Sequence, residues 1–390
     1  MKIDSIQSQK IISGANCTSN LAITINEYYP LLNSKVVIIT SKSQKEIVYE
    51  RIKFQFDQFQ CGLQVLVSEG EPTCSVLDEF RKSIIGIPQV IIGIGGGSPL
   101  DYAKAIAGLL LRKEPSHYFL EGIGTIKYEG TALPLVAIPT TAGTGSECTL
   151  NAVLSFTDSE NKTWKKSIRH PSLLPKLVFL DPNLTLHLPI HTTLYSGLDA
   201  FSQSLEAYLS KESNSFSESL AIDSIKKILL NLPIVLKEPS NVLGRLQMLS
   251  ASSNSGIALS MAGLGVVHGL AGTLGALTSL SHGHICASLL YPTLKLFTKE
   301  CSEEEISLLS NKMKLLLPAE YQSKSENYYE SFTEFLGQWL QKLTPISTLP
   351  YSNPENLIEE TVNQFSIRNH PTPFSKKLAK QALQEAFEMI

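Results

Sequence analysis

The chain has 390 residues, 43% hydrophobic and 18% charged, with a formal net charge of -3. This length exceeds the roughly 250–300 residues at which a single core stops growing, so two domains are expected, and the composition excludes intrinsic disorder. A balance this close to neutral, without clustered Lys and Arg, argues against nucleic acid or an anionic membrane surface as a partner.

The N-terminal ten residues lack the apolar segment of a secretion signal, so a cytoplasmic location is expected. After an irregular start, residues 35–40 (KVVIIT) form a short branched apolar run, as in a strand buried on both faces. Residues 43–56 read as a helix, 63–67 as a strand, 73–84 as a helix and 89–94 as the next strand, followed by a helix over 99–111 and strands over 135–138 and 176–180. Such alternation predicts a doubly wound α/β domain with a mostly parallel sheet, whose ligand crevice lies at the carboxyl ends of the strands.

Beyond residue 189 the apolar period lengthens to about 3.6, and helices are expected over 192–209, 217–230, 242–259, 286–297, 302–316, 328–343, 354–365 and 373–389. The expected division is an α/β domain over 1–185 and an all-α domain over 186–390. The apolar runs at 90–94 and 177–180 fall far short of the ~20 residues that span a bilayer. Six cysteines, at positions 17, 61, 74, 148, 286 and 301, have neither CxxC spacing nor a disulfide framework and read as reduced thiols.

Three stretches carry chemistry. Residues 93–104 (GIGGGSPLDYAK) lie between a predicted strand and a predicted helix. Consecutive glycines let the backbone approach a ligand, while Ser98, Pro99 and Asp101 suit the first turn of the helix, with Ser98 as its cap and Asp101 completing a capping-box pattern. A helix start with bare amides binds anions, so a pyrophosphate is the expected guest, and Asp101, which would repel it, is expected to cap the helix or face the sugar end. Residues 138–147 (IPTTAGTGSE) also follow a strand and offer hydroxyls for phosphate or ribose oxygens; a plain solvated turn is the competing reading.

The third stretch, residues 266–292, gathers His268, His282 and His284 in an apolar, glycine-rich run. Buried imidazoles need a metal ion or a carboxylate as partner. Upstream, Asp199 and Gln203 are four apart on a predicted helix and share a face, so one carboxylate, one amide and two histidines can close around a divalent cation. His282 and His284 are two apart; on a helix only one of them would be a ligand. Three satisfied core histidines without a metal is the bland alternative.

Taken together, GGSPLDYAK (96–104), PTTAGTGSE (139–147), LDPNLT (180–185), GLDAFSQSLEAY (197–208) and the pair His268 and His282 resemble the iron-containing (group III) alcohol dehydrogenase family, in order and over nearly the whole chain. The resemblance implies a dinucleotide-binding α/β domain, a helical domain, a cleft holding NAD(P) and a divalent metal, iron ahead of zinc, and usually a homodimer. Carried over by motif, Gly96, Gly97, Ser98 and Asp101 would line the dinucleotide, Thr140, Thr141, Thr144 and Ser146 its phosphates and sugars, and Lys165 the nicotinamide ribose. Asp199, His268 and His282 fall on three of the four family metal ligands.

Two departures from the family pattern stand out. Gln203 replaces a third ligating histidine, and Gly272 replaces a histidine found in many members four residues after the first C-terminal ligand. An amide oxygen is a neutral, weaker donor than imidazole. His284 would serve as a ligand, a support of one or a substrate contact. After the first strand, Ser41, Lys42 and Ser43 stand where an acidic residue commonly reads the ribose 2′-hydroxyl, which predicts use of NADPH, alongside NADH.

The expected reaction is hydride transfer between the nicotinamide and an alcohol or its carbonyl compound, with Asp199, His268, His282 and His284 as the catalytic group. A dehydroquinate-synthase-like lyase is disfavoured by the absence of a basic substrate clamp around residues 268–284. A nucleotide-binding homologue without catalysis is the remaining rival.

Overall fold

Branched apolar side chains fill β2 (Lys35–Ser41), and every residue of β4 (Val90–Gly95) and β5 (Leu135–Pro139) is buried. These strands, with β1 (Lys10–Ser13), β3 (Gly62–Ser68) and β8 (Leu177–Leu180), make a six-stranded sheet in the order β1-β8-β5-β4-β2-β3. All its pairings are parallel. The computed structural model describes residues 9–278, 280–322, 327–343, 349–350, 354–365 and 370–388.

Side-chain alternation divides the sheet between two cores. Val37, Ile39 and Ile91 pack with Tyr102 and Ile106 of α3 (Gly97–Leu109) and with Leu77 of α2 (Cys74–Ser83). Val36, Ile38, Ile92 and Ile94 pack with Leu21 and Ile25 of α1 (Leu21–Tyr28). A sheet covered on both faces is the doubly wound arrangement the sequence implies. From β2 the chain first adds β3 on one side and then β4 on the other, so the strand order reverses between β2 and β4, the position at which sheets of this kind place a ligand crevice.

Four local expectations need correction. β1, in the stretch read as irregular, is a four-residue edge strand too short and too exposed to leave a pattern in sequence. Residues 43–56 do not form one helix: short α segments (Lys45–Ile47 and Lys53–Asp57) flank a π-helical turn (Val48–Ile52). An antiparallel hairpin, β6 (Asn151–Thr157) with β7 (Thr163–Arg169), joins Ala152 and Ile168 inside a polar-looking stretch. A fourth element, the helix Val266–Leu277, not expected from the sequence, forms despite three glycines because its apolar face is buried in its own core cluster.

Beyond residue 189 the described elements are helical. α4 (Ile190–Leu209), α5 (Ser215–Lys237), α6 (Val242–Ala262), α7 (Val266–Leu277), α8 (His282–Leu296), α9 (Glu303–Lys314), α10 (Tyr328–Gln341), α11 (Glu355–Gln364) and α12 (Lys376–Glu388) follow one another, and all but α7 match predicted helices with ends shifted by up to several residues. Met389, included in the last predicted helix, lies outside the described residues, as do residues 1–8. The chain divides into two compact units. One comprises the residues up to Leu188 with Ser240–Ser253, the other Pro189–Pro239 with Asn254–Ile390. Among the described residues no single helix is long and apolar enough to cross a membrane, and the six cysteines are free thiols.

Candidate metal and dinucleotide sites

In the helical unit, α4 is buried along most of its length, so each polar side chain on it must find a partner within the protein. Ser202 and Ser204 return their hydroxyls to the carbonyls of Leu198 and Ala200 at 2.8 and 2.7 Å. Gln203 donates from Nε2 to Ser255 Oγ at 2.7 Å. Asp199, 2% exposed, is partnered by histidines. Its Oδ1 lies 3.2 Å from His268 Nε2 and 3.8 Å from His282 Nε2.

His268 is fixed from its other side. Glu206 Oε2 stands 2.7 Å from His268 Nδ1, and the same carboxylate accepts the amides of Val267 at 2.6 Å and His268 at 3.4 Å. Glu206 thereby caps the start of α7, which has no side-chain cap of its own, and sets the ring's orientation. A carboxylate only accepts, so Nδ1 carries a proton toward Glu206, and Nε2 faces Asp199 as an N–H donor or, with a cation between them, as a ligand. Between two carboxylates this ring is either an imidazolium or the ligand of a cation.

The local electrostatics agree. Burial opposes a charged His268, yet Cys286 and the hydrogen bonds with Asp199 and Glu206 outweigh it and hold its pKa well above the ordinary histidine value. For Asp199, burial works upward, but the His268 hydrogen bond and the charges of His282 and His268 hold its carboxyl below the usual range.

Among the described residues, one atom each from Asp199, His268, His282 and Cys286 lie within 4.8 Å of one another. In a tetrahedral site with ligand bonds of about 2.0–2.3 Å, donor atoms stand roughly 3.3–3.8 Å apart. The observed 3.2, 3.8 and 3.6 Å separations, the last between Cys286 Sγ and His282 Nε2, match that spacing. These donor types and three separations fit a divalent ion; among the described residues His282 Nδ1 is buried without a hydrogen-bond partner, whereas His268 Nδ1 has Glu206.

His284 is not in the cluster. Both histidines lie in the first turn of α8, and with about 100° between successive residues His284 points elsewhere, stacking on Tyr195 with ring centroids 4.4 Å apart. Gly272, one turn past His268, has open space where a side chain would start. Glu206 and Cys286 went unrecognised in the sequence. Their signal was spacing: Asp199, Gln203 and Glu206 at i, i+4 and i+7, and His282 and Cys286 at i and i+4.

In the α/β unit, the turn after β4 is packed closely against its own helix and the loop after β5. Gly95 has φ +149°, and a Cβ there would meet Pro99 Cγ at 2.7 Å. α3 begins at Gly97 with Gly96 as its cap residue and no side-chain cap, so Ser98 does not cap it. The helix starts earlier than expected because the glycine backbone itself turns into it, and its first amides are left bare. A Cβ on Gly96 or Gly97 would press on Thr141 Oγ1 at 3.2 Å or Thr144 Cγ2 at 3.0 Å, so the two loops lie side by side. Thr140, adjoining them, donates its amide to Gly95 O at 2.9 Å.

Asp101 does not cap the helix either. Buried within α3, it accepts Ser146 Oγ at 2.6 Å and the Val153 amide at 3.1 Å and pairs with Lys104 at 3.2 Å. Lys104 in turn reaches Thr149 Oγ1 and Asn151 O at 2.8 and 2.6 Å. Asp101 and Ser146 therefore hold the second loop against the helix. Lys165 lies on β7 and pairs with Glu71 at 3.0 Å. Ser41 ends β2, with its Oγ 3.0 Å from Ser43 Oγ, while exposed Lys42 pairs with Glu69 at 3.3 Å.

Comparison with known proteins gives this geometry its context. Residues 8–182 match the iron-containing alcohol dehydrogenase family, and residues 193–365 match the C-terminal region of the Fe-containing alcohol dehydrogenase family. The chain belongs to the iron-containing alcohol dehydrogenase family. Within that family, the long-chain-alcohol dehydrogenase 1 of Geobacillus thermodenitrificans is 32% identical over 303 residues, 77% of this chain and 75% of that protein. The probable alcohol dehydrogenase EutG of Escherichia coli is 36% identical over 249 residues, but the match spans 60% of that protein's length and 63% of this chain. In fold, the chain is similar to sulfoacetaldehyde reductase from Bifidobacterium kashiwanohense in complex with NAD+, with a TM-score of 0.85 at 21% identity over 100% of both chains.

Proposed function

We propose that this chain catalyses reversible hydride transfer between a nicotinamide dinucleotide and a small alcohol or its aldehyde or ketone, with a divalent ion in the helical unit. The carrying observation is the convergence of Asp199, His268 and His282 within 4.8 Å, with Glu206 behind His268. Such an ion supplies Lewis acidity toward the substrate oxygen, and the nicotinamide supplies or accepts the hydride.

The chain's own residues have distinct tasks. Asp199, His268 and His282 hold the ion, Gln203 offers it a neutral amide oxygen, and Glu206 holds the proton on His268 Nδ1, so that Nε2 is the nitrogen that faces the ion. The bare amides at the start of α3 bind the dinucleotide phosphates, with Gly96, Gly97 and Ser98 in contact and Thr140, Thr141 and Thr144 alongside. In this reading Asp101 and Ser146 act by positioning the loop. Lys165 is assigned to the nicotinamide ribose and His284 to the substrate side. The open space beside Gly272 favours substrates larger than those a histidine there would admit.

The dinucleotide is assigned to residues 1–185 and the ion, iron ahead of zinc, to 186–390; a cytoplasmic homodimer belongs to the same reading. Asp199→Ala is expected to abolish metal retention in anaerobically purified protein while leaving dinucleotide affinity intact. Equal metal content in the variant would refute the assignment. Ser41, Lys42 and Ser43 support NADPH as a cofactor beside NADH, since a cation and two hydroxyls suit a 2′-phosphate. Steady-state rates with both cofactors test this, and a large preference for NADH counts against it.

A further inference from the structure

Cys286 follows His282 by four residues on α8, so both side chains rise from one face of the helix. The Cys286 side chain is fully buried, and its Sγ lies 3.6 Å from His282 Nε2. The same sulfur belongs to the set with Asp199 and His268 whose donor atoms lie within 4.8 Å. Gln203, which occupies the family's remaining ligand position, brings a neutral amide already bonded to Ser255. Resting on the metal reading above, we propose that Cys286 supplies a thiolate ligand to the ion, so that this chain completes its site with sulfur.

As the ion enters, the S–H bond breaks, the sulfur electron pair passes to the ion and the proton leaves to solvent; nothing is oxidised or reduced. The resulting donor set is two imidazoles, one carboxylate and one thiolate. Sulfur shifts selectivity toward zinc and other thiolate-tolerant ions and away from magnesium and manganese, which favour oxygen. It also adds a second negative charge beside that of Asp199.

Cobalt(II) reports on the ligands directly, without reference to activity. Apoprotein of the full chain is loaded anaerobically with cobalt(II) and its absorption spectrum recorded, for the wild type, Cys286→Ser and Cys286→Ala. The expected wild-type spectrum has intense visible d–d bands of a four-coordinate ion together with a near-ultraviolet sulfur-to-cobalt charge-transfer band. Both variants should lose the charge-transfer band, and Cys286→Ser should keep the d–d bands. Wild-type d–d bands without charge transfer, or a band that survives in Cys286→Ser, overturn the thiolate proposal and leave the metal reading standing. Absence of any d–d bands in the wild type overturns both. The wild-type spectrum decides even if a variant fails to fold.

Discussion

Glu206 spends one carboxylate on two tasks, capping the first amides of α7 and holding His268 Nδ1. Glu206→Gln presents an amide that no longer requires the proton on Nδ1, so the ring is free to take the other tautomer. The expected loss in metal affinity is about 10- to 100-fold, as found for groups that orient ligating histidines. Competition against a chromophoric chelator measures it, and unchanged affinity would remove Glu206 from the site. At this scale the sequence was informative about residue types and poor about neighbours. Asp199, His268 and His282 were legible through motif and spacing, but nothing along the chain reveals that residue 206 meets residue 268.

At the scale of elements, the turn after β4 and the loop after β5 act as one piece because α3 carries the buried pair that joins them. Lys104 is 1% exposed, and burial lowers its pKa against the opposing pull of Asp101. Removing the carboxylate takes from the buried ammonium its paired charge, leaving it only the Thr149 and Asn151 oxygens and the more distant Glu147. Asp101→Ala should therefore destabilise the α/β unit by about 3–5 kcal/mol, measured by urea unfolding, and should weaken dinucleotide binding by freeing the Ser146 loop. A loss under about 1 kcal/mol would mean that Thr149, Asn151 and the charge of Glu147 carry Lys104 without Asp101. Strands and helices with strong apolar periodicity were legible in sequence. β1 and the β6–β7 hairpin were not, since a short edge strand and a polar hairpin owe their order to partners distant in the chain.

For the whole molecule, the candidate ligands come from three helices, α4, α7 and α8, so an ion there ties Asp199 to His268 and His282 across 69 and 83 residues of chain. An ion that binds only the folded state stabilises it, by about 2.7 kcal/mol when present at one hundred times its dissociation constant. Chelation should accordingly lower the thermal midpoint of the wild type and leave that of Asp199→Ala unchanged. Identical responses to chelator in the two proteins would place the ion elsewhere.

The sequence alone determined the doubly wound α/β pattern, the helical character of the second half, the glycine turn and the family, because these depend on local periodicity and on motifs contiguous along the chain. Only the tertiary structure decided which side chains meet: that Asp101 clasps Ser146 instead of capping its helix, that His284 stacks on Tyr195 while His282 turns toward Asp199, and that Cys286 joins the cluster. The physical reason is that a residue's type and helical face are set by its near neighbours. Its partner across a core is set by how whole elements pack, and each contact there depends on all the others.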